Sequence, residues 1–261
     1  MSHPHRFYTP NITQDMAEII LPAEEAHHAS RVARLRDGDG AVVFNGAGLE
    51  CSGPLRITSG HTYLIAQQWN YHPPPRVALI LAVGGLHRDK TQEEVIRRAA
   101  ELGVSRVCFW RADQSQRPIA ANARWRKTAV EACKQCGRAY IPQLDAASSL
   151  DAFFASYNGP SLIAVTEPLP EEPARLVPAD QLALIIGPEG DFSERERETA
   201  RMRNATPVSL GRFIYRTETA AAILATIVAD RFKMLGAGLG LAPGEAGQAD
   251  AITLAEQETS L

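Results

Sequence analysis

The stretch Leu182-Ala-Leu-Ile-Ile-Gly-Pro-Glu-Gly190 is an unbroken apolar run that stops in a tight polar loop. Such a run reads as a buried parallel strand delivering a loop to its carboxyl end, where open α/β sheets bind ligands. Gly187 and Gly190 let backbone approach a ligand, and Pro188 fixes one φ and removes one donor. After one amphipathic segment comes Ser209-Leu-Gly-Arg-Phe-Ile-Tyr-Arg-Thr-Glu-Thr-Ala220, in which Gly211 follows another short apolar run. Two glycine loops and the start of a helix at Thr217 suffice to cradle one small molecule.

The rest of the chain divides in two. Up to about residue 70, turn residues separate short runs, Ala41–Phe44, Leu55–Ile57 and Tyr63–Ala66, the spacing of a small antiparallel barrel. Glu24 to Leu35 reads as one short helix, with Arg31 and Arg34 on one face and His27 and His28 a turn earlier. Tyr71-His-Pro-Pro-Pro75 can continue neither a helix nor a central strand, so a domain boundary is expected there, giving domains 1–72 and 73–240. Beyond it apolar strands alternate with helical segments. Strands are expected at Val77–Val83, Arg106–Trp110, Leu162–Val165 and Leu182–Ile186. Helices are expected at Asp89–Leu102 and Ala121–Cys136, each closed by Gly, and from Thr217 to about Leu235. Ser193 with Glu196 forms a capping box opening a helix to about Asn204. The pattern predicts an α/β domain with a mainly parallel sheet covered on both faces.

A chain of 261 residues with 45% hydrophobic content can build its core without disulfides. Four cysteines and no leader-like start fit a reduced cytoplasmic setting. No apolar run approaches the ~20 residues of a membrane span. Cys133-x-x-Cys136 has no second pair, so it suggests small buried side chains on a helix rather than a metal site. The net charge of −3 hides segregation. Arg106, Arg111, Arg117, Arg124, Arg126, Lys127, Lys134 and Arg138 face only Asp113 and Glu131, a local sum of 8 − 2 = +6 and a candidate phosphate-contacting face. After Gly240 there are four acids and no base, and residues 241–261 read as a disordered tail.

The two loops together resemble the RsmE family, the 16S rRNA uracil-N3 methyltransferases of the SPOUT class, whose signatures run roughly IGPEGG and LG-x-RILR-TETA. Three further stretches resemble the family in the same order: His28-Ala-Ser-Arg31-Val-Ala-Arg34 with Val43–Gly46, Val95–Val104, and Glu131–Arg138 with Ile141-Pro142. The resemblance implies a PUA-like RNA-binding barrel followed by a SPOUT α/β domain with a carboxy-terminal trefoil knot. It also implies a homodimer, and a 16S rRNA substrate carried in the 30S subunit. The implied cofactor is S-adenosylmethionine, held by Thr166, Ile186, Gly187, Pro188, Glu189 and Gly190 on one side and by Leu210, Gly211, Ile214, Tyr215 and Thr217 on the other. Arg31, Arg34, Arg124, Arg126 and Arg138 become candidate RNA contacts.

Uracil N3 carries a proton, so its lone pair is available only as that proton leaves and charge spreads onto O2 and O4. Arg216 and Glu218 are the titratable pair nearest the presumed loops: Arg216 to stabilise the developing anion, Glu218 to orient the base or accept the proton. Several positions depart from the family pattern. Asp191 replaces a second Gly, Phe213 occupies the usual Arg position, Ala112–Gln116 lacks an expected Glu and Arg, and Thr91 stands where a Lys is usual, beside Lys90. They leave two alternatives: a related enzyme acting on another RNA nucleotide, or a non-catalytic RNA-binding assembly factor.

Overall fold

The computed structural model describes residues 4–86, 88–115, 118–166 and 179–234. The expected tail 241–261 lies outside them. Two six-stranded sheets account for all the strands among the described residues.

The first sheet contains β1 (His5–Tyr8), β2 (Glu18–Ile20), β3 (Gly40–Phe44), β4 (Leu49–Ile57), β5 (Thr62–Ile65) and β6 (Gln68–Tyr71). The order is β1-β3-β4-β5-β2, with β6 also on β4. The expectation of an antiparallel arrangement needs one correction: β1 joins β3 in parallel, whereas the other pairings of this sheet are antiparallel. β4 is long enough to pair with β3 and β6 in its first half and with β5 in its second. The change of partner occurs at Gly53, where a Cβ would stand 1.9 Å from the Ile65 carbonyl oxygen. Phe7, Val43, Cys51, Leu55 and Leu64 fill its core.

The helix expected over residues 24–35 is shorter and broken. α1 spans Ala23–His27 and passes into one π-helical turn, His28–Val32, closed by the Ala33 amide donating to the His28 carbonyl. Arg34 then adopts φ +56, a left-handed stop that takes it off the helix. Arg31 and Arg34 therefore do not share a helical face, although both are exposed.

The second sheet is formed by β7 (Ala78–Gly84), β8 (Arg106–Trp110), β9 (Gln143–Ala147), β10 (Ser161–Val165), β11 (Gln181–Ile186) and β12 (Thr206–Ser209). Every pairing is parallel, in the order β12-β10-β11-β7-β8-β9. Alternation along the strands feeds two cores. Leu79, Leu81 and Val83 pack with α2 (Asp89–Glu101), α3 (Ala123–Cys136) and α6 (Thr217–Arg231). Ile80 and Ala82 pack with α4 (Leu150–Ala155) and α5 (Glu194–Met202). The expected doubly covered parallel sheet is present, with β9 and α4 added. β11, late in the chain, lies between the earlier strands β7 and β10. The order therefore reverses next to the carboxyl end of β11, where a crevice opens.

The two sheets meet along α3 and the segment after β6. Phe44 packs with Ala100, Ala132 and Cys133, and the Ile141 amide donates to the Gly46 carbonyl at 3.0 Å. Lys134, with its side chain only 8% exposed, bonds Glu25 at 3.0 Å from Nζ to Oε2. Burial pushes the Glu25 carboxyl above its ordinary value, against the pull of Lys134. Glu50 binds His72 and Arg6, each at 3.0 Å. Burial raises its carboxyl, but the bonds to His72 and Arg6 outweigh it and hold it below the ordinary value.

Candidate active site

A cavity of about 800 Å³ opens at the carboxyl ends of β10, β11 and β12. That volume lies within the range of small-molecule and cofactor sites, about 300–1,000 Å³. Thr166 follows β10, and Ile186, Gly187, Pro188, Glu189 and Gly190 form the wall continuing from β11. Leu210, Gly211, Ile214, Tyr215 and Thr217 supply the opposite wall, after β12. Arg216 and Glu218 line the same space at the start of α6.

The first loop is held by close packing. A Cβ on Gly84 would stand 2.6 Å from Pro188, and one on Gly187 would stand 3.0 Å from the Phe192 ring. Phe192 in turn stacks on Trp110 with centroids 6.1 Å apart. The Asp191 amide donates to the Pro188 carbonyl at 3.0 Å, and Asp191 has φ +64. Left-handed backbone is glycine's ground, and Asp is among the few other residues that tolerate it. The departure from the family's second Gly is thus sterically admissible here, and Asp191 also gains an ion pair with Arg197 at 2.8 Å.

The second loop turns at Gly211, φ +103, where the Gly211 amide donates to Ser209 Oγ at 3.3 Å. Thr217 Oγ1 donates to the Gly187 carbonyl at 3.2 Å, fastening this loop to the first. Arg216 is the N-cap of α6 with extended backbone, and its carbonyl accepts the Thr219 and Ala220 amides. No ion pair or hydrogen bond joins the Arg216 and Glu218 side chains among the described residues. Both remain available to something in the cavity.

The segment that lacks the family's Glu and Arg is nevertheless clamped. Asp113 accepts from Ser193 Oγ at 2.6 Å and from Arg195 Nε at 3.0 Å, while its own amide donates to Glu196 Oε1 at 2.9 Å. The Arg195 guanidinium is the main reason its carboxyl lies below the usual value. Glu196 also completes the capping box of α5. Gln114 thereby comes close to Gly190, where a Cβ would lie 3.1 Å from its Oε1.

Sequence reasoning missed Arg88, the N-cap of α2, which lines the cavity together with Thr91 one turn on. The Gly84-Gly85 turn after a buried strand was the available signal. It also missed Phe192, Ala164, Val165 and Ala220 as lining residues.

Three of the candidate RNA contacts, Arg124, Arg126 and Arg138, already have partners within the chain. Arg138 is the most engaged: its Nη1 donates to the carbonyls of Ala100 and Val104, at 3.2 and 2.7 Å, and its Nη2 to Gly103 at 3.1 Å. Arg138 thus fastens the turn that follows α2, where the Ala100 carbonyl also accepts the Gly103 amide at 3.3 Å. Burial draws its pKa below the usual arginine value. Arg124 pairs with Glu93, and Arg126 donates to Tyr8 Oη at 2.6 Å, although both are exposed. Arg106 pairs with Asp145, Lys127 with Glu24, and Lys134 with Glu25. Six of the eight bases of the expected face thus have partners within the chain, although Arg124, Arg126 and Lys127 stay exposed, and Arg117 lies outside the described residues. Cys133 is buried, but Cys136 is exposed, contrary to expectation. No group of three or more metal-ligating residues occurs among the described residues, and no helix there is long and apolar enough to cross a membrane.

Comparisons with known proteins agree with this geometry. Residues 73–229 match the model of an RNA methyltransferase domain, and residues 21–55 that of an RNA methyltransferase PUA domain. A Synechocystis protein named ribosomal RNA small subunit methyltransferase E is 30% identical over 220 residues, covering 79% of this chain and 71% of its own. A Mycobacterium bovis protein of the same name is 26% identical over 234 residues, covering 83% and 88%. A Legionella pneumophila protein solved in complex with the cofactor SAM superposes with a TM-score of 0.76 at 26% identity, covering 88% of this chain and 98% of its own. Ribosomal RNA small subunit methyltransferase E from Neisseria gonorrhoeae, solved with S-adenosyl methionine, shares the fold with a TM-score of 0.78 at 22% identity and the same coverage. By the match over 73–229, the chain belongs to the RNA methyltransferase family.

Proposed function

We propose that this protein methylates N3 of a uridine in 16S rRNA with S-adenosylmethionine as donor. One observation carries the reading: both glycine loops and the start of α6 line a single cavity, in a chain whose relatives are named for methylating small-subunit rRNA. The residues fit the cofactor. Ile186, Leu210 and Ile214 offer apolar surface for a purine, and the Cβ-free backbones at Gly187, Gly190 and Gly211 admit close approach. When bound, the cofactor supplies an electrophilic methyl group on a sulfonium.

The chain's own contribution is positioning and charge. Rigid loops hold acceptor and donor at reacting distance, which can supply much of the rate. Arg216 stabilises the negative charge that spreads over uracil O2 and O4 as N3 loses its proton, and Glu218 orients the base or takes that proton. The target must be unpaired or flipped out, since pairing hides N3. The sheet of β1–β6 and the exposed Arg31 and Arg34 grip the surrounding RNA.

The same reading includes a division at residues 72 and 73, a 30S-borne substrate, a cytoplasmic location, a trefoil knot and a homodimer. Support for the knot is the placement of β11 between β7 and β10, followed by the return of α6 against β7 and β11. Support for the dimer is a single aliphatic side chain on α6, Ile227, which is left 53% exposed. Methyl transfer from labelled S-adenosylmethionine to 30S subunits lacking endogenous methylation, followed by nucleoside mass spectrometry, tests the proposal. A 3-methyluridine product is expected; methyl on another nucleoside or on a ribose would replace the substrate assignment.

A further inference from the structure

We propose that Phe213 is a stacking platform for a nucleobase of the RNA substrate, placed at the mouth of the cavity. The inference rests on the methyl-transfer reading and adds a specificity-determining residue to it. Phe213 is 60% exposed, although it is a large apolar ring. Exposed apolar residues elsewhere, such as Met202 on α5, do not line the cavity; Phe213 does, beside the 86% exposed Ile214, and of the two only Phe213 offers a flat ring. The guanidinium of Arg212 lies over its ring, 4.8 Å from the centroid, and Tyr215 meets it edge-on with centroids 6.5 Å apart. The ring is therefore braced by two neighbours while most of it stays open.

The cavity has two kinds of apolar surface. Ile186 is buried at the inner end, and Leu210 is half-buried. These suit the enclosed part of a ligand. Phe213 stands at the open rim, which suits a second ligand arriving from solvent on a large scaffold. A flat ring with a cation against it matches an unpaired RNA base and its phosphate, because every base offers a π-face and RNA methylation at N3 requires the base splayed from its helix.

The test compares wild type, Phe213→Ala and Phe213→Tyr, with Met202→Ser as a control for loss of exposed apolar surface. Four quantities are read: steady-state kinetics on unmethylated 30S subunits, affinity for S-adenosylmethionine by calorimetry, affinity for a uridine-containing 16S rRNA fragment, and oligomeric state by sedimentation. Phe213→Ala should raise KM for RNA and weaken fragment binding roughly 5- to 150-fold, the range for removing one aromatic partner from a stacked base. Cofactor affinity and oligomeric state should be unchanged, and Phe213→Tyr should restore the loss. Unchanged RNA constants in Phe213→Ala overturn the proposal, as does an equal loss of cofactor affinity or a change of oligomeric state. If wild type transfers no methyl group but Phe213→Ala still weakens fragment binding, stacking stands and the methyl-transfer reading falls.

Discussion

Thr217 Oγ1 donates to the Gly187 carbonyl at 3.2 Å, so the first residue of α6 and the loop after β11 are one unit. Thr217 is buried, and its hydroxyl has no solvent to replace the bond. Thr217→Val keeps the shape and removes the donor. Cofactor affinity should fall about fivefold, as for one buried hydrogen bond worth ~1 kcal/mol. Thr217→Ser should lose little, and calorimetry on the three proteins distinguishes the outcomes.

Arg138 sits under the end of α2 with three carbonyl acceptors. Arg138→Met would remove this shared charged donor and should lower stability by about 3 kcal/mol, the scale of hydrogen bonds to a charged group. A lower denaturation midpoint with unchanged RNA affinity per folded molecule is expected. Weaker RNA binding at unchanged stability would reinstate Arg138 as an RNA-binding residue.

Arg31 and Arg34 are exposed and without ion-pair partners among the described residues. Reversing both to Glu should weaken rRNA binding and reduce the slope of log affinity against log salt by about 1 for each phosphate no longer neutralised. Cofactor affinity should not change. A matching loss of both affinities would mean misfolding rather than a weakened grip on RNA.

Asp113 ties the 112–115 segment to α5 through Ser193 and Arg195. With Arg195 as the main cause, its folded carboxyl lies below its ordinary value, 3.8. A depressed carboxyl contributes stability that is present above the unfolded pKa and lost as pH falls through the folded one. Asp113→Asn should therefore flatten the stability profile below about pH 4 and leave the shape of the neutral region alone. An unchanged acid limb would mean that the clamp carries no charge-dependent stability.

How much the sequence revealed depends on the kind of signal. Leu182 to Ile186 announced β11 because a strand buried on both faces needs an unbroken apolar run, and Ser193 with Glu196 announced α5 because a capping box is local. The glycines of both loops marked the cavity wall, since a missing Cβ is readable in sequence. β9 and α4 were not seen: Gln143–Ala147 alternates weakly, and six residues of α4 are too few for a helical period. The basic block misled because charge along the chain does not show partners in space. Lys127 and Lys134 meet Glu24 and Glu25, more than a hundred residues earlier. The partners of Arg138 were hidden for a similar reason, since the carbonyls from Ala100 to Val104 are invisible from its own position. Phe213 looked like a departure from a pattern, and only the structure shows it braced and open at the cavity mouth.

The most direct test of catalysis at the start of α6 is single-turnover methyl transfer to unmethylated 30S subunits by wild type, Arg216→Ala and Glu218→Gln, with cofactor affinity measured in parallel. Preorganised charge at a developing anion is worth about 10²- to 10³-fold in rate. A loss of that order is expected for Arg216→Ala, a smaller loss for Glu218→Gln, and unchanged cofactor affinity in both. Wild-type turnover in both variants with cofactor bound would contradict these roles, and the chemistry would have to be sought away from the start of α6.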